Sequence, residues 1–261
     1  KTLILKDKMK RYITPILLLL ACLSFAVPVE ALTKQEADKA YRERNYQQAI
    51  TDYEHLLKAG ESASLYYNLG NAYFRTDNVT KAILNYERAL LLDPGNRDIR
   101  FNLQFAKSKT IDKFADADEM FFVTWYREIV NFMSVDGWAV TSIFTIILAL
   151  LGFLVYLFID AVMLKKVGFF ASLTCLVLFV LSIVFAWQQE NALENRTGAV
   201  IVSPTVYVRK TPSKAKTESD EFVIHEGTKV EMIDKSMKGW REIRLPDGRE
   251  GWIPVSSLEE I

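Results

Sequence analysis

The sequence predicts a three-part fold: an α-helical repeat solenoid, a two-helix transmembrane hairpin and a small all-β barrel. Three observations predict it. A helix-turn-helix pattern recurs at a 33-residue interval, from Ala49 to Ala82. Two long apolar runs lie within residues 137–187, separated by a short charged stretch. After Asn195 the hydrophobic pattern changes to strict alternation punctuated by turn residues.

The solenoid is expected over residues 32–118. Its clearest repeat is Tyr66, Leu69-Gly70, Tyr73, Ala82, Tyr86, Ala89 and Pro94. This resembles the tetratricopeptide repeat at each signature position, with Tyr in place of Trp at the first and of Phe at the later one. Gly70 and Ala82 are small because the two helices of the repeat approach most closely there. Tyr73 and Tyr86 fill the space beside them, and Pro94-Gly95 stops the second helix. A looser copy precedes it (Ala37, Tyr41, Asn45-Tyr46, Ala49, Tyr53, Leu56), and Ile99, Leu103 and Ala106 mark a capping helix running to about residue 110.

Such arrays bind peptides or helices in a concave groove lined by the first helix of each repeat. The expected groove residues are Lys34, Tyr41, Tyr67, Asn71, Phe74, Arg75 and Lys109, with Asp38, Arg42, Phe101 and Phe105 beside them. Aromatic and basic side chains in that mixture suit a peptide carrying an acidic group. A clamp for a C-terminal carboxylate is not expected, because Asp38 stands where the clamp uses Asn. For Phe74, Phe101 and Phe105 the competing role is packing against the neighbouring helix.

The membrane segments follow. Residues 119–136 hold Phe121, Phe122, Trp125, Tyr126 and Phe132, a composition for an interfacial helix. Spans are expected at 137–159 and 167–187, with a cytoplasmic loop at 160–166 and a linker at 188–197. Lys165 and Lys166 place the loop inside, while Glu190 and Glu194 flank the outer end and Trp138 and Trp187 mark its boundary. Neither span contains an ionisable group, so transport and proton relay are excluded. Gly168 and Ser172 form a small-xxx-small pair for packing against another helix or lipid. At the other end of the chain, residues 1–31 read as an export signal. Met9 is the expected start, Lys10-Arg11 the basic region and Ala31 the cleavage point. Leu19-Leu20-Ala21-Cys22 resembles a lipobox only faintly, since the apolar stretch continues past Cys22. The signal and the lysine loop give one topology, an inner-membrane protein with both soluble domains periplasmic.

Over 198–261 six strands are expected: Ala199–Val202, Val206–Arg209, Phe222–Ile224, Lys229–Asp234, Trp240–Leu245 and Glu250–Ile253. Val206-Tyr207-Val208-Arg209-Lys210-Thr211-Pro212-Ser213 and Leu245-Pro246-Asp247-Gly248-Arg249-Glu250-Gly251-Trp252-Ile253 resemble bacterial SH3 domains. The resemblance implies binding of peptidoglycan or peptide, with Tyr207, Trp240 and Trp252 as a stacking face. Trp252 is expected to fill the barrel with Val208, the stacking face being its alternative place, whereas Trp240 follows a turn and is expected to be partly exposed.

Composition bounds the chemistry. The 261 residues carry 32 Lys+Arg against 32 Asp+Glu, which gives no electrostatic argument for a nucleic acid. Cys22 and Cys175 each lie inside an apolar run, excluding a disulfide framework. His55 and His225 fall in different domains, so neither a metal centre nor a cofactor is expected. His225 beside Glu226 has no nucleophile or second histidine near it, and reads as a hydrogen-bonded turn residue. The chain is therefore read as non-enzymatic, which excludes a wall hydrolase.

The order of these parts resembles the Bacteroides aerotolerance (Bat) family, in its E-type members. The resemblance implies a scaffold in a membrane complex with von Willebrand A-type proteins, an associated MoxR-type ATPase and a link to oxidative-stress tolerance. The alternative is a cell-wall attachment protein whose SH3-like domain binds peptidoglycan.

Overall fold

The computed structural model describes residues 29–114, 120–212 and 220–261. The export signal expected over 1–31 lies outside the described residues, apart from the backbone of 29–31, which enters the first helix.

Five helices build the repeat region: α1 (Val29–Arg42), α2 (Tyr46–Leu57), α3 (Ala63–Arg75), α4 (Val79–Leu92) and α5 (Arg97–Lys107). Asparagine starts three of them, because its short carboxamide reaches the first free N–H groups. Asn45 accepts from Gln48, Asn78 from Lys81, and Asn96 from Asp98 and Ile99. The α1–α2 and α3–α4 turns each hold one non-glycine residue at positive φ, Arg44 at 64° and Asp77 at 61°. Tyr53, Leu56, Leu65 and Leu69 fill a first core, and Ile83, Leu84, Tyr86, Ile99 and Leu103 a second. Between them Gly70 is obligatory. A Cβ there would lie 2.7 Å from the Tyr86 ring and 3.3 Å from the Ala82 carbonyl.

After residue 120 come α6 (Phe121–Val130) and two helices long and apolar enough to cross a membrane, α7 (Val135–Phe158) and α8 (Val162–Glu194). Their connection is only Ile159–Ala161, so Lys165 and Lys166 are helical, where the sequence suggested a loop over 160–166. The helix also runs on through most of the expected linker to Glu194, because Gln188–Glu194 is rich in good helix formers. Gly152 and Gly168 face each other across the hairpin. A Cβ on Gly168 would lie 2.8 Å from the Gly152 carbonyl, and Ser172 donates to the Ala149 carbonyl at 2.8 Å. The small-residue pair is thus used within the hairpin. At the open end Gln189 donates to the carbonyls of Val130 and Met133, both at 2.7 Å, and Trp138 Nε1 to Val130 at 2.9 Å. These bonds fasten α6 to the hairpin, with Phe121, Phe122 and Trp125 left exposed.

The C-terminal part is a seven-stranded antiparallel sheet: β1 (Gly198–Ile201), β2 (Thr205–Arg209), β3 (Asp220–His225), β4 (Lys229–Asp234), β5 (Trp240–Arg244), β6 (Glu250–Pro254) and β7 (Leu258–Glu260). The order is β3-β2-β6-β5-β4-β1-β7, an open ladder with β3 and β7 at its edges. The sequence indicated six of these strands. The seventh escapes because Leu-Glu-Glu has no strand signal of its own, and pairing with β1 makes it one. Positive φ at Gly227, Gly239 and Gly248 (82°, 88° and 87°) marks three of the turns. Val208, Ile224, Ile243 and Ile253 are fully buried in a core of the sheet's own.

The sheet does not hang free. It docks on the outer side of α4, where Val200 and Ile261 join the core of the second repeat and Ile83 approaches Gly227.

Candidate functional site: the repeat groove

The first helices α1, α3 and α5 lie side by side, and their shared face is a groove. Asn68 of α3 donates to Asp38 of α1 at 3.0 Å, and Lys34 donates to Ser64 at 2.9 Å. On the other side Asn102 of α5 donates to Tyr67 Oη at 3.0 Å and to Asn71 Oδ1 at 2.9 Å, and Phe74 stacks obliquely on Phe105 at 5.5 Å. Every groove residue expected from the sequence lies on α1 or α3 or just past the end of α5, and these contacts bring them together.

Their roles divide. Tyr86 reaches through from α4 to donate to Asn71 Oδ1 at 2.7 Å, and its burial pushes the phenol well up, so it remains a donor. Asn71 Oδ1 is thus doubly satisfied, and only its Nδ2 remains for a ligand. Asp38 accepts from Tyr53 Oη at 2.6 Å as well as from Asn68, so it braces the groove floor. Tyr41 packs edge-on against Tyr46 at 5.4 Å and holds Arg75 by a hydrogen bond. Phe74 is half-buried against the repeat core, while Phe101 and Phe105 stay 69 % and 47 % exposed. Packing therefore accounts for Phe74 in large part but not for those two. Lys109 lies over the Phe105 ring at 5.3 Å. Asn102, the bridge between α3 and α5, was not singled out in the sequence, although its position beside Phe101 is a usable signal.

A second surface lies on the sheet. Gly251 and Ile253 point into the core, so Trp252 between them points outward. This corrects the expectation that Trp252 fills the interior; only Val208 does so. Register places Arg209 opposite Trp252, Trp252 opposite Glu242, and Tyr207 opposite Val223. Trp240 shares the face, with the Arg209 guanidinium 5.6 Å from its ring centre, and Tyr207 is 53 % exposed. Tyr207, Trp240 and Trp252 thus share the outward face of the sheet.

Between the two surfaces runs a polar interface that no sequence pattern announced. Glu87, 3 % exposed on α4, meets Lys229 of β4 at 2.7 Å and Lys107 of α5 at 2.6 Å. Glu259 of β7 sits between Lys81 at 2.5 Å and Arg88 at 3.3 Å, and Glu61 pairs with Arg196 at 2.5 Å. Asp112, just past α5, accepts from the His225 backbone N–H, His225 Nδ1 and Thr228 Oγ1 at 2.6, 2.8 and 2.8 Å. Burial alone would raise the Asp112 carboxyl, but these bonds hold it below the usual carboxylate range. Contacts spanning more than 100 residues leave no local signature.

Residues 63–96 match the tetratricopeptide-repeat family model. That stretch covers α3, α4 and the turn before α5, the repeat with the full signature. No curated protein sequence matches the chain. Tetratricopeptide repeats generally mediate protein–protein interaction.

Proposed function

We propose that the chain is a non-enzymatic membrane scaffold that recruits a protein partner through the repeat groove. The observation that carries this reading is the groove's aromatic and cationic surface, half-buried Tyr67 with exposed Phe101, Phe105, Arg75 and Lys109, mounted on packed helices. In full-length protein extracted in detergent, Tyr67→Ala/Asn71→Ala/Arg75→Ala is expected to keep its helical circular dichroism and lose most co-purifying partners. A folded variant that keeps them all would refute the groove as the partner site.

In this reading α7 and α8 cross the inner membrane and hold both modules on the periplasmic side. Lys165 and Lys166 lie by the short connection, while Trp138, Trp187 and Glu190 lie at the opposite end. With Cys22 and Cys175 replaced by Ser, cysteines at Lys58 and Lys238 should react with an impermeant maleimide in spheroplasts, and one at Lys166 should not. Labelling confined to Lys166 would reverse the topology. The order of parts supports a place in a Bat-type complex with von Willebrand A-type proteins, coupled to a MoxR-type ATPase and to oxidative-stress tolerance.

The outward row of Tyr207, Trp252 and Trp240 favours a second reading, in which the sheet is an SH3-like domain gripping peptidoglycan. Because Val200 and Ile261 share the repeat core, the full chain is the right test object. Under the wall reading it co-sediments with purified sacculi, and Tyr207→Ala/Trp240→Ala abolishes this. Under the scaffold reading it stays in the supernatant.

A further inference from the structure

We infer that the groove takes an extended acidic segment, with carboxylates at about every third residue and a bulky apolar side chain at its α5 end. The inference rests on the groove reading above and names the partner's chemistry. Its first support is a row of cations at one edge. Arg42 and Arg75 are the last residues of α1 and α3, and Lys109 stands two residues past the end of α5; they are 33 and 34 residues apart by number, and all three are exposed. Cations are common near helix C-termini because the helix dipole favours them. The dipole does not by itself explain the row: α4 has no basic residue in its last turn, while α2 has His55 there and Lys58 at its C-cap. What sets the three apart is the repeat interval, which places them along one edge of the groove.

Among the described residues, no ion pair within 4 Å engages any of the three. Asp38 and Asp112 keep their charge but turn to other partners, Asp38 to Tyr53 and Asn68 and Asp112 to His225 and Thr228. Asp98 lies at the far end of α5, 11 residues before Lys109 and hence about 16 Å away along the helix. Lys34 adds a fourth cation at the α1 side, next to Ser64.

The second support is a gradient across the helices. One turn before the cation row stand Asp38, Asn71 and Phe105, and two turns before it Lys34, Tyr67 and Phe101. Polarity thus falls from α1 to α5, ending in the two exposed phenylalanines, and a ligand has only one favourable direction. The third support is backbone recognition. Among the described residues, no hydrogen bond uses Asn71 Nδ2 or Asn102 Oδ1. A donor and an acceptor side by side match the C=O and N–H of an extended chain. Neighbouring helices pack about 8–10 Å apart, which three residues of extended chain span at about 3.3 Å each. Hence the spacing of the carboxylates.

The test uses the full-length protein in detergent micelles on an array of immobilised 12-residue peptides. The peptides carry zero to three Glu at every third position, with one Trp at either end or absent, beside Lys-substituted controls. Retention is expected to rise about tenfold from none to three Glu, roughly threefold or less for each exposed ion pair. It should collapse in 0.5 M salt and in Arg42→Glu/Arg75→Glu/Lys109→Glu. Phe101→Ala/Phe105→Ala should abolish the preference for one Trp position while keeping the Glu dependence. Equal retention of acidic, neutral and basic peptides would overturn the inference, as would undiminished binding by a folded charge-reversed variant. If the Tyr67/Asn71/Arg75 triple variant sheds its partners while the array shows no acid dependence, the groove reading stands and the acidic class falls. If neither experiment responds to groove substitutions, both fall.

Discussion

Lys107→Met/Lys229→Met is expected to destabilise the chain at neutral pH by about 3–5 kcal/mol, because it leaves the Glu87 carboxylate buried without a cation. Both lysines reach that carboxylate from different elements, Lys107 from α5 and Lys229 from β4, and methionine keeps most of their alkyl volume. The pH dependence gives the sharper readout. Burial alone would raise the Glu87 carboxyl, but the lysines outweigh it and the native group titrates below its ordinary value. A depressed carboxyl contributes stability that is complete above its unfolded pKa and is lost as pH falls through the folded one. The native protein should therefore lose stability on acidification from that source. In the double variant the carboxyl is raised instead, so this contribution changes sign and stability recovers as pH falls towards protonation. Adding Glu87→Leu to the double variant should restore stability at neutral pH, since a well-packed apolar replacement of a buried ion cluster is close to neutral. Thermal unfolding in detergent at pH 7 and pH 5 measures all three. Identical midpoints for the native and doubly substituted proteins would show that Glu87 does not fasten the sheet to the repeats.

Gly70→Leu should lower the melting temperature clearly and Ala82→Leu somewhat less. The added Cβ at Gly70 alone meets the Tyr86 ring at 2.7 Å, and Tyr86 is 2 % exposed and tied to Asn71, so it cannot swing aside. Overpacking of this kind costs about 1–3 kcal/mol. In a chain of this size each kcal/mol shifts the midpoint by about 2–4 °C. Gly60→Ala is the control, because no atom lies within 4 Å of its added Cβ. Loss of the Tyr86–Asn71 bond should also weaken partner capture, joining the packing of the repeat to the groove. Unchanged midpoints for both substitutions would mean that the helices of the repeat do not meet at these residues.

Elements whose cause is local are legible in the amino-acid order alone. The spacing from Tyr66 to Pro94 set the helix pair, because only small residues at Gly70 and Ala82 let two helices approach, and asparagines cap α2, α4 and α5. The apolar runs set α7 and α8, and the Gly-centred turns of the sheet followed from positive φ at Gly227, Gly239 and Gly248. The groove residues were legible for the same reason: the repeat interval puts equivalent positions on one face.

Most of the remaining features depend on contacts between segments far apart in the chain. Trp252 points outward because Gly251 and Ile253, its neighbours on β6, are taken by the core, and a period of two leaves it no other side. A tryptophan in a strand fits either face until register is known. β7 exists because β1 offers a free edge, and α8 runs to Glu194 because nothing in Gln188–Glu194 breaks it. Above all, the docking of the sheet on α4 rests on Glu87 with Lys229, Glu259 with Arg88, and Asp112 with His225. Each of those side chains reads in sequence as part of a solvated face. Only folding brings the partners within 4 Å, where a low dielectric makes their attraction count.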